Sequence, residues 1–269
     1  MRWKRHHVQI KESVLTILCE ARCARTAEKA VRCARSVVEK YIAQHADFAL
    51  SFVPTPVEDD AHEIIRKMAL AARAMNVGPM AAVAGAIAEY TLGAIIDDGA
   101  GEAVVDNGGD IALKVVEPVV IGIYAGGSPV KDVAFYIEPT PEAMSICTSS
   151  GTVGHSFSYG KADAAVVISA DASLADAAAT ALGNRIKKPA DLGSAFEFLT
   201  EHLEVTGALA ICRGQIGLFG KLPRMIKAHV DDGLITRGKG YAKNKLCGHG
   251  SNGCSGTAFS ETPGGSSDL

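Results

Sequence analysis

The 269-residue sequence has few aromatic residues and almost no net charge, and both scarcities restrict what the protein can be. Phe, Trp and Tyr make up 6% of the chain, whereas Ala and Gly are abundant, which favours closely packed helices on a sheet. A formal net charge of −3 gives no electrostatic basis for binding nucleic acid or a membrane surface. The hydrophobic fraction of 48% argues against a disordered chain.

Long apolar runs and paired cysteines are also missing. The apolar run at residues 14–18 is too short for a signal peptide, and residues 80–96 include Glu89 and fall short of a membrane span. The sequence has seven cysteines, an odd number, and they are irregularly spaced with no C-x-x-C motif. This pattern indicates reduced thiols and not a set of disulfides. We therefore expect a cytoplasmic protein that does not enter a membrane.

Helical and strand patterns interleave along the chain without a steady β-α rhythm. Helical spacing predicts helices at residues 26–42, 80–96 and 190–203, and apolar runs predict strands at residues 7–18 and 48–53 and a hairpin at residues 205–219. This mixture predicts an α+β fold, a layered mixed sheet with packed helices. Residues 1–225 should form one domain, and residues 226–269, first basic and then rich in Gly and Ser, a flexible tail.

The stretch at residues 145–183 carries most of the chemistry. A hydroxyl- and glycine-rich loop contains Thr148, Ser149 and Gly151, whose hydroxyls and backbone amides could hold a phosphate, although a polar strand end has the same composition. A predicted strand at residues 164–168 and a predicted helix at residues 172–182 follow. On that helix Asp176 and Thr180 are four residues apart and share one face, as ligands of Mg²⁺ would. They could equally be a helix N-terminal acid and a threonine bonded to its own helix.

Two further features are candidates for the same site. Asn107, Gly108, Gly109 and Asp110 follow a predicted strand, and adjacent glycines allow a tight turn that brings backbone close to a ligand. The turn could also be purely structural. His155, beside the glycines of the later loop, could act as a general base or as a structural side chain.

Five segments, taken in order, resemble a known family. They are VGPMAAVAGAIAEY (77–90), VVDNGGDIAL (104–113), IGIYAG (121–126), ICTSSGTVGHS (146–156) and LADAAATALGN (174–184). Together they are similar to the ApbE-like family of FAD:protein FMN transferases, also known from thiamine biosynthesis ApbE. The similarity is greater to an uncharacterised (UPF) branch of that superfamily, and it extends over residues 7–225.

The resemblance implies a role for each candidate. The turn of Asn107, Gly108, Gly109 and Asp110 matches the family's GGD turn beside the flavin nucleotide, and Thr148, Ser149 and Gly151 match its T-S-G loop. Asp176 and Thr180 match the helix that holds the divalent ion. The implied cofactors are FAD and Mg²⁺, and the implied reaction transfers FMN from FAD to a Ser or Thr of an acceptor protein while AMP leaves.

One part of the family pattern is missing. The transferases carry H-x-I-D-P-x-T-G between the T-S-G loop and the metal helix, whereas here residues 154–163 contain no Asp-Pro, and His155 is the nearest counterpart of the histidine. The departure leaves open a non-catalytic flavin- or nucleotide-binding regulatory protein, and an enzyme that acts on an unrelated small substrate. The Ala- and Gly-rich helix is compatible with a homodimer.

Overall fold

The computed structural model describes residues 3–152, 159–229 and 234–236, and the backbone of two strands at residues 256–260 and 267–268. The α-helices of this part of the chain are α1 (Ala24–Gln44), α2 (Ala46–Leu50), α3 (Glu63–Met75), α4 (Val83–Asp97) and α5 (Ala172–Arg185). Its strands are β1 (Lys4–Ile10), β2 (Ser13–Cys19), β3 (Ala103–Asn107), β4 (Asp110–Lys114), β5 (Val119–Tyr124), β6 (Val133–Ile137), β7 (Met144–Ser149), β8 (Ala164–Ser169), β9 (Val205–Cys212), β10 (Gln215–Gly220), β11 (Arg224–Lys227), β12 (Gly256–Ser260) and β13 (Ser267–Asp268). Short 3₁₀ helices lie at Ala21–Cys23, Pro79–Ala82, Pro189–Gly193 and Glu197–Glu201.

The strands form two sheets, and the helices form a third layer. The larger sheet has the order β1-β2-β3-β4-β7-β8-β9-β10, and the smaller one β12-β5-β6-β11-β13. Every pairing among these strands is antiparallel. Alternate residues of the larger sheet enter two different cores, one shared with the helices and one shared with the smaller sheet. The layered α+β class is therefore as predicted.

Helices α4 and α5 lie together at the centre of the helical layer. Small residues permit this close packing, because an added Cβ on Gly85 would lie 2.2 Å from the carbonyl oxygen of Ala172 at the start of α5. Helix α5 is buried along most of its length and contacts β7 and β8 as well as α3 and α4. Its first turn is capped by Asp171, whose Oδ1 accepts a hydrogen bond of 2.8 Å from the backbone N–H of Leu174.

The segment predicted as one apolar helix at residues 80–96 is a 3₁₀ turn at Pro79–Ala82 followed by α4 at Val83–Asp97. By length and composition alone, the helical stretch Pro79–Asp97 could cross a membrane, which corrects the expectation that it falls short. Half of its most apolar window is buried, and α4 contacts α1, α5, β3 and β4. This packing makes it the core helix of the folded domain.

Three predicted elements differ in the structure. The strand predicted at residues 7–18 is the hairpin of β1 and β2, because Lys11 adopts a left-handed φ of 50° and reverses the chain. The strand predicted at residues 48–53 is the short helix α2, which buries Phe48 edge-on against Tyr41 at 5.0 Å. The helix predicted at residues 190–203 is two 3₁₀ helices. The other helices, the central strand and the β9–β10 hairpin are confirmed.

Part of the segment predicted as a flexible tail contributes to the fold. Strand β12 pairs with β5, β13 pairs with β11, and residues 235 and 236 are buried. The proposed boundary at residue 225 falls inside β11. The predicted base His155, and Cys247 and Cys254 of the seven cysteines, lie outside the described residues. The five cysteines among the described residues are not paired with one another.

Candidate functional site

The turn between β3 and β4 is a tight connection that only glycine accommodates. Gly108 and Gly109 have φ values of 69° and 109°, in the region that other residues rarely adopt. The backbone N–H of Gly109 donates a hydrogen bond of 2.8 Å to Oδ1 of Asp106, the last residue but one of β3. The turn predicted from the two adjacent glycines is thus confirmed, and it places Asp110 at the first position of β4.

Asp110 and Asp176 form a buried pair of carboxyl groups at the boundary between the larger sheet and the helices. Burial raises the pKa of Asp176 to about 7. Burial, followed by the nearby charges of Asp176 and Asp106, holds the pKa of Asp110 well above its usual range. Among the described residues, neither Asp110 nor Asp176 forms an ion pair with a lysine or arginine. The two carboxyl groups therefore repel each other when both are ionised.

Backbone amides fix both carboxyl groups. Oδ2 of Asp176 accepts a hydrogen bond of 2.9 Å from the N–H of Gly85, in the first turn of α4. Oδ1 of Asp110 accepts one of 3.3 Å from the N–H of Thr148 on β7. Asn107 also connects the turn to α4, because its Nδ2 donates to the carbonyl oxygen of Ala84 at 3.1 Å. The turn, α4, α5 and β7 thus meet at one place.

The T-S-G loop begins at this meeting point. Thr148 is buried, and its Oγ1 has no hydrogen-bond partner among the described residues. Gly151 allows close approach, because an added Cβ would lie 2.3 Å from the carbonyl oxygen of Gly160. Ser149 lies near Gly183 of α5, with its Oγ 3.6 Å from the position of a Cβ there. Thr148 and Ser149 are thus the last two residues of β7, a polar strand end, and the loop proper begins only at residue 150.

The donor groups fit a magnesium ion better than a zinc ion. Within the described chain, no three His, Cys, Asp or Glu side chains are grouped as a metal site, whereas zinc typically takes three or four such ligands. Two buried carboxyl groups without a neighbouring cation could hold Mg²⁺, which takes oxygen ligands from one or two side chains and the rest from water and substrate phosphates. Thr180 lies one turn beyond Asp176 on α5 and is partly exposed, so its hydroxyl is a further oxygen donor.

The sequence did not single out an exposed aromatic pair that includes Tyr159, the neighbour of Gly160, whose carbonyl oxygen lies close to Gly151. Phe52 and Tyr159 are 60% and 55% exposed, and their rings meet edge-on with centroids 5.8 Å apart. Phe52 lies beside the start of the helical stretch Pro79–Asp97, because a Cβ on Gly78 would touch the backbone of residues 51 and 52. The N–H of Tyr159 donates to Oδ1 of Asn184 near the end of α5 at 2.9 Å. An aromatic ring of a ligand could stack on this pair.

Two surface cavities lie elsewhere on the protein and are not lined by the acid pair. One, of about 300 Å³, lies beside Tyr41, His45 and Phe48, and another, of about 430 Å³, lies beside Phe196 and Leu218. Neither contains a residue predicted for the site. Chemistry that depends on a cation needs charged donors more than an enclosed apolar space, so the converging acids and amides form the candidate site.

Comparison with known proteins gives consistent results. The family model described as "AbpE bacteria" matches residues 1–197. A UPF0280 protein of Methanocella arvoryzae is 46% identical over 230 residues, which cover 86% of this chain and 94% of the relative. A UPF0280 protein of Archaeoglobus fulgidus is 45% identical over 241 residues, which cover 87% of this chain and 100% of the relative.

Two solved structures share the architecture. The apo form of the flavinyl transferase ApbE of Pseudomonas stutzeri superposes with a TM-score of 0.51 and 10% identity, over 81% of this chain and 95% of that one. An ApbE protein of Thermotoga maritima superposes with a TM-score of 0.53 and 14% identity, over 81% of this chain and 97% of that one. At identities this low the likeness concerns the fold.

Proposed function

Because the chain belongs to the UPF0280 branch of the ApbE-like family, we propose that it is a Mg²⁺-dependent enzyme acting on FAD or another nucleotide diphosphate. The concrete form of the proposal is transfer of FMN to a Ser or Thr of an acceptor protein. The substrate classes are those that the family resemblance implies.

The observation that carries this proposal is the buried pair of Asp110 and Asp176. Burial deprives both carboxylates of hydration and raises both pKa values, and at Asp110 the nearby charge of Asp176 raises the pKa further. A divalent cation held by these carboxylates would favour their ionised forms and would attract the diphosphate of a nucleotide. When bound, Mg²⁺ would neutralise charge on the diphosphate and orient it.

The chain's own residues would hold the substrate in place. The turn of residues 107–110 would bring backbone close to the nucleotide. The hydroxyls of Thr148 and Ser149 and the close-packed Gly151 would line its phosphates, and the unpartnered Oγ1 of Thr148 is an available hydrogen-bonding group. Asp176 and Thr180, with Asp110, would supply oxygen atoms to the cation.

The proposed transfer exchanges one P–O bond for another. The hydroxyl oxygen of the acceptor Ser or Thr bonds to the FMN phosphorus, and the bond from that phosphorus to the bridging oxygen breaks, so AMP leaves with the electron pair. A base accepts the hydroxyl proton, and His155 is our candidate from the sequence, outside the described residues. Such chemistry depends mainly on positioning and charge neutralisation.

The first test is a calorimetric titration with FAD, with and without Mg²⁺. We expect FAD binding that requires Mg²⁺ in the unmodified protein and that is lost in Asp176→Asn. The matched control is Glu102→Gln, since Glu102 is also buried but lies at the other end of the β3–β4 hairpin, where its carboxylate accepts the N–H of Val116. Absent FAD binding, or binding indifferent to Mg²⁺, would overturn the proposal.

A second candidate function is a flavin- or nucleotide-binding regulatory protein without catalysis. The observation that favours it is the lack of the H-x-I-D-P-x-T-G segment between the T-S-G loop and α5. Tight Mg²⁺-dependent FAD binding without release of AMP, with any acceptor offered, would support this candidate. Release of AMP with flavin attached to the acceptor would support the enzyme.

The setting that we propose follows from the same resemblance and the composition. The protein would act in the cytoplasm, without nucleic acid or membrane, on a free flavin or other nucleotide and on an acceptor protein. A homodimer is compatible with the Ala- and Gly-rich helices. Fractionation of cells and light scattering of the purified protein would test the location and the oligomeric state.

A further inference from the structure

A short segment near the C-terminus contacts the turn of the site from the opposite face of the sheet. Ile235 and Thr236 are 5% and 3% exposed. The Thr236 hydroxyl lies 2.8 Å from Oγ1 of Thr16, and it donates a short hydrogen bond to Oδ2 of Asp106. Thr16 on β2 and Asp106 on β3 are direct cross-strand partners, so the three side chains form one cluster.

Asp106 connects this cluster to the turn. Its side chain is fully buried, and while Oδ2 meets Thr236, Oδ1 accepts the N–H of Gly109 at 2.8 Å. Along β3, Asp106 and Val104 share the face toward the smaller sheet, whereas Asn107 and Val105 share the face toward the helices. The turn is therefore held from both faces of the larger sheet.

The hydroxyl of Thr236 supplies a hydrogen-bond donor to the buried carboxyl group of Asp106. A hydroxyl has one proton to donate, and of its two possible acceptors, Thr16 and Asp106, the carboxylate of Asp106 is the stronger. Without the hydroxyl, Oδ2 of Asp106 would lose this donor in a buried place, and a buried acceptor left unsatisfied is unfavourable. The carboxyl group would then be free to rotate or to draw in water, and its bond to Gly109 would weaken.

We propose that Thr236 is a positioning residue of the nucleotide site. It orients Asp106, Asp106 orients the turn through Gly109, and the turn places Asp110 opposite Asp176. The ligand in this statement rests on the function proposed above. Because coupling between two sites is reciprocal, a ligand that binds at the turn should also strengthen the docking of residues 234–236.

The test compares Thr236→Val with Thr236→Ser and with the control Thr91→Val. Thr91 is equally buried, but its hydroxyl bonds to the carbonyl oxygen of Ile87 in its own helix. We expect Thr236→Val to weaken Mg²⁺-dependent FAD binding about tenfold, as loss of a hydrogen bond to a charged group does. Thr236→Ser and Thr91→Val should bind as the unmodified protein does. Unchanged binding by Thr236→Val, or no rescue by serine, would overturn the proposal.

A second readout is independent of the ligand. Amide hydrogen exchange of Gly109 in the full chain should become about tenfold faster in Thr236→Val and remain unchanged in Thr91→Val, because exchange reports local opening. If the unmodified protein binds no flavin nucleotide, the proposed function fails. The exchange rate of the Gly109 amide still tests whether Thr236 positions the turn. Equal Gly109 exchange in the unmodified protein and Thr236→Val would refute that role.

Discussion

Replacement of Asp176 by asparagine should make the stability of the protein in the absence of metal less sensitive to a rise in pH. The pKa of Asp176 is raised from 3.8 to about 7, so the folded state holds its proton more tightly than the unfolded state does. This contribution to stability is present at low pH and is lost as pH rises toward 7. An asparagine side chain does not titrate in this range, so the variant has no such contribution to lose.

The magnitude follows from the pKa. Between pH 5 and pH 7 the folded state retains a proton that the unfolded state has released, and each pH unit then lowers the free energy of unfolding by about 1.4 kcal/mol. The unmodified protein should therefore lose about 2 to 3 kcal/mol more than Asp176→Asn between pH 5 and pH 8. An asparagine oxygen can still accept the N–H of Gly85, and the cost of burying its amide, being present at both pH values, cancels in the comparison.

The assay is urea unfolding at pH 5 and pH 8 with chelator present, repeated at pH 8 with Mg²⁺. Metal should restore stability to the unmodified protein, because a ligand that binds only the folded state stabilises it, and should have no effect on Asp176→Asn. Glu102→Gln serves again as the control for a buried acid outside the site. If Asp176→Asn loses as much stability as the unmodified protein from pH 5 to pH 8, the electrostatic reasoning about the pair is wrong.

Two substitutions test the packing and the rim of the site. Gly85→Ala should destabilise the fold by about 3 kcal/mol in urea unfolding, because its Cβ would lie 2.2 Å from the carbonyl oxygen of Ala172 and force α4 and α5 apart. Gly93→Ala in the same helix, where a Cβ meets nothing within 4 Å, should be neutral or stabilising, and similar losses for both would contradict this account. Phe52→Ala should weaken FAD binding in calorimetry about tenfold by removing a stacking surface, without changing its dependence on Mg²⁺. Leu203→Ala, at a side chain that is 92% exposed, is the control, and equal affinities would remove Phe52 from the site.

The features of the candidate site that depend only on residues close together in the sequence could be predicted. Two adjacent glycines after a strand predict a tight turn, because left-handed φ values are available to few other residues, and Gly108 and Gly109 adopt them. Likewise, a spacing of four places Asp176 and Thr180 on one face of any helix, and α5 is a helix there. These predictions needed no knowledge of the rest of the chain.

The convergence of distant residues could not be predicted in this way. Asp110 reaches Thr148 because β4 pairs with β7 in the register that places Asp110 opposite Cys147. Asp176 reaches the same place because Gly85 allows α4 to touch the start of α5. A local sequence pattern predicts neither the register of β4 against β7 nor the contact between α4 and α5. The same limit explains residues 48–53, where burial of Phe48 against Tyr41 overrides a strand-like composition.

The electrostatics of the acid pair bear on both candidate functions. A carboxylate that accepts two or three backbone N–H bonds can have a depressed pKa, yet at Asp176 burial outweighs the amides of Gly85 and Ala84, and the pKa rises instead. A diphosphate arriving alone would bring further negative charge to two carboxyl groups that already repel each other. Nucleotide binding at this place therefore requires a cation or protonated acids, for an enzyme and for a regulatory protein alike. The dependence on Mg²⁺ thus tests the site, and only release of AMP to an acceptor distinguishes the two functions.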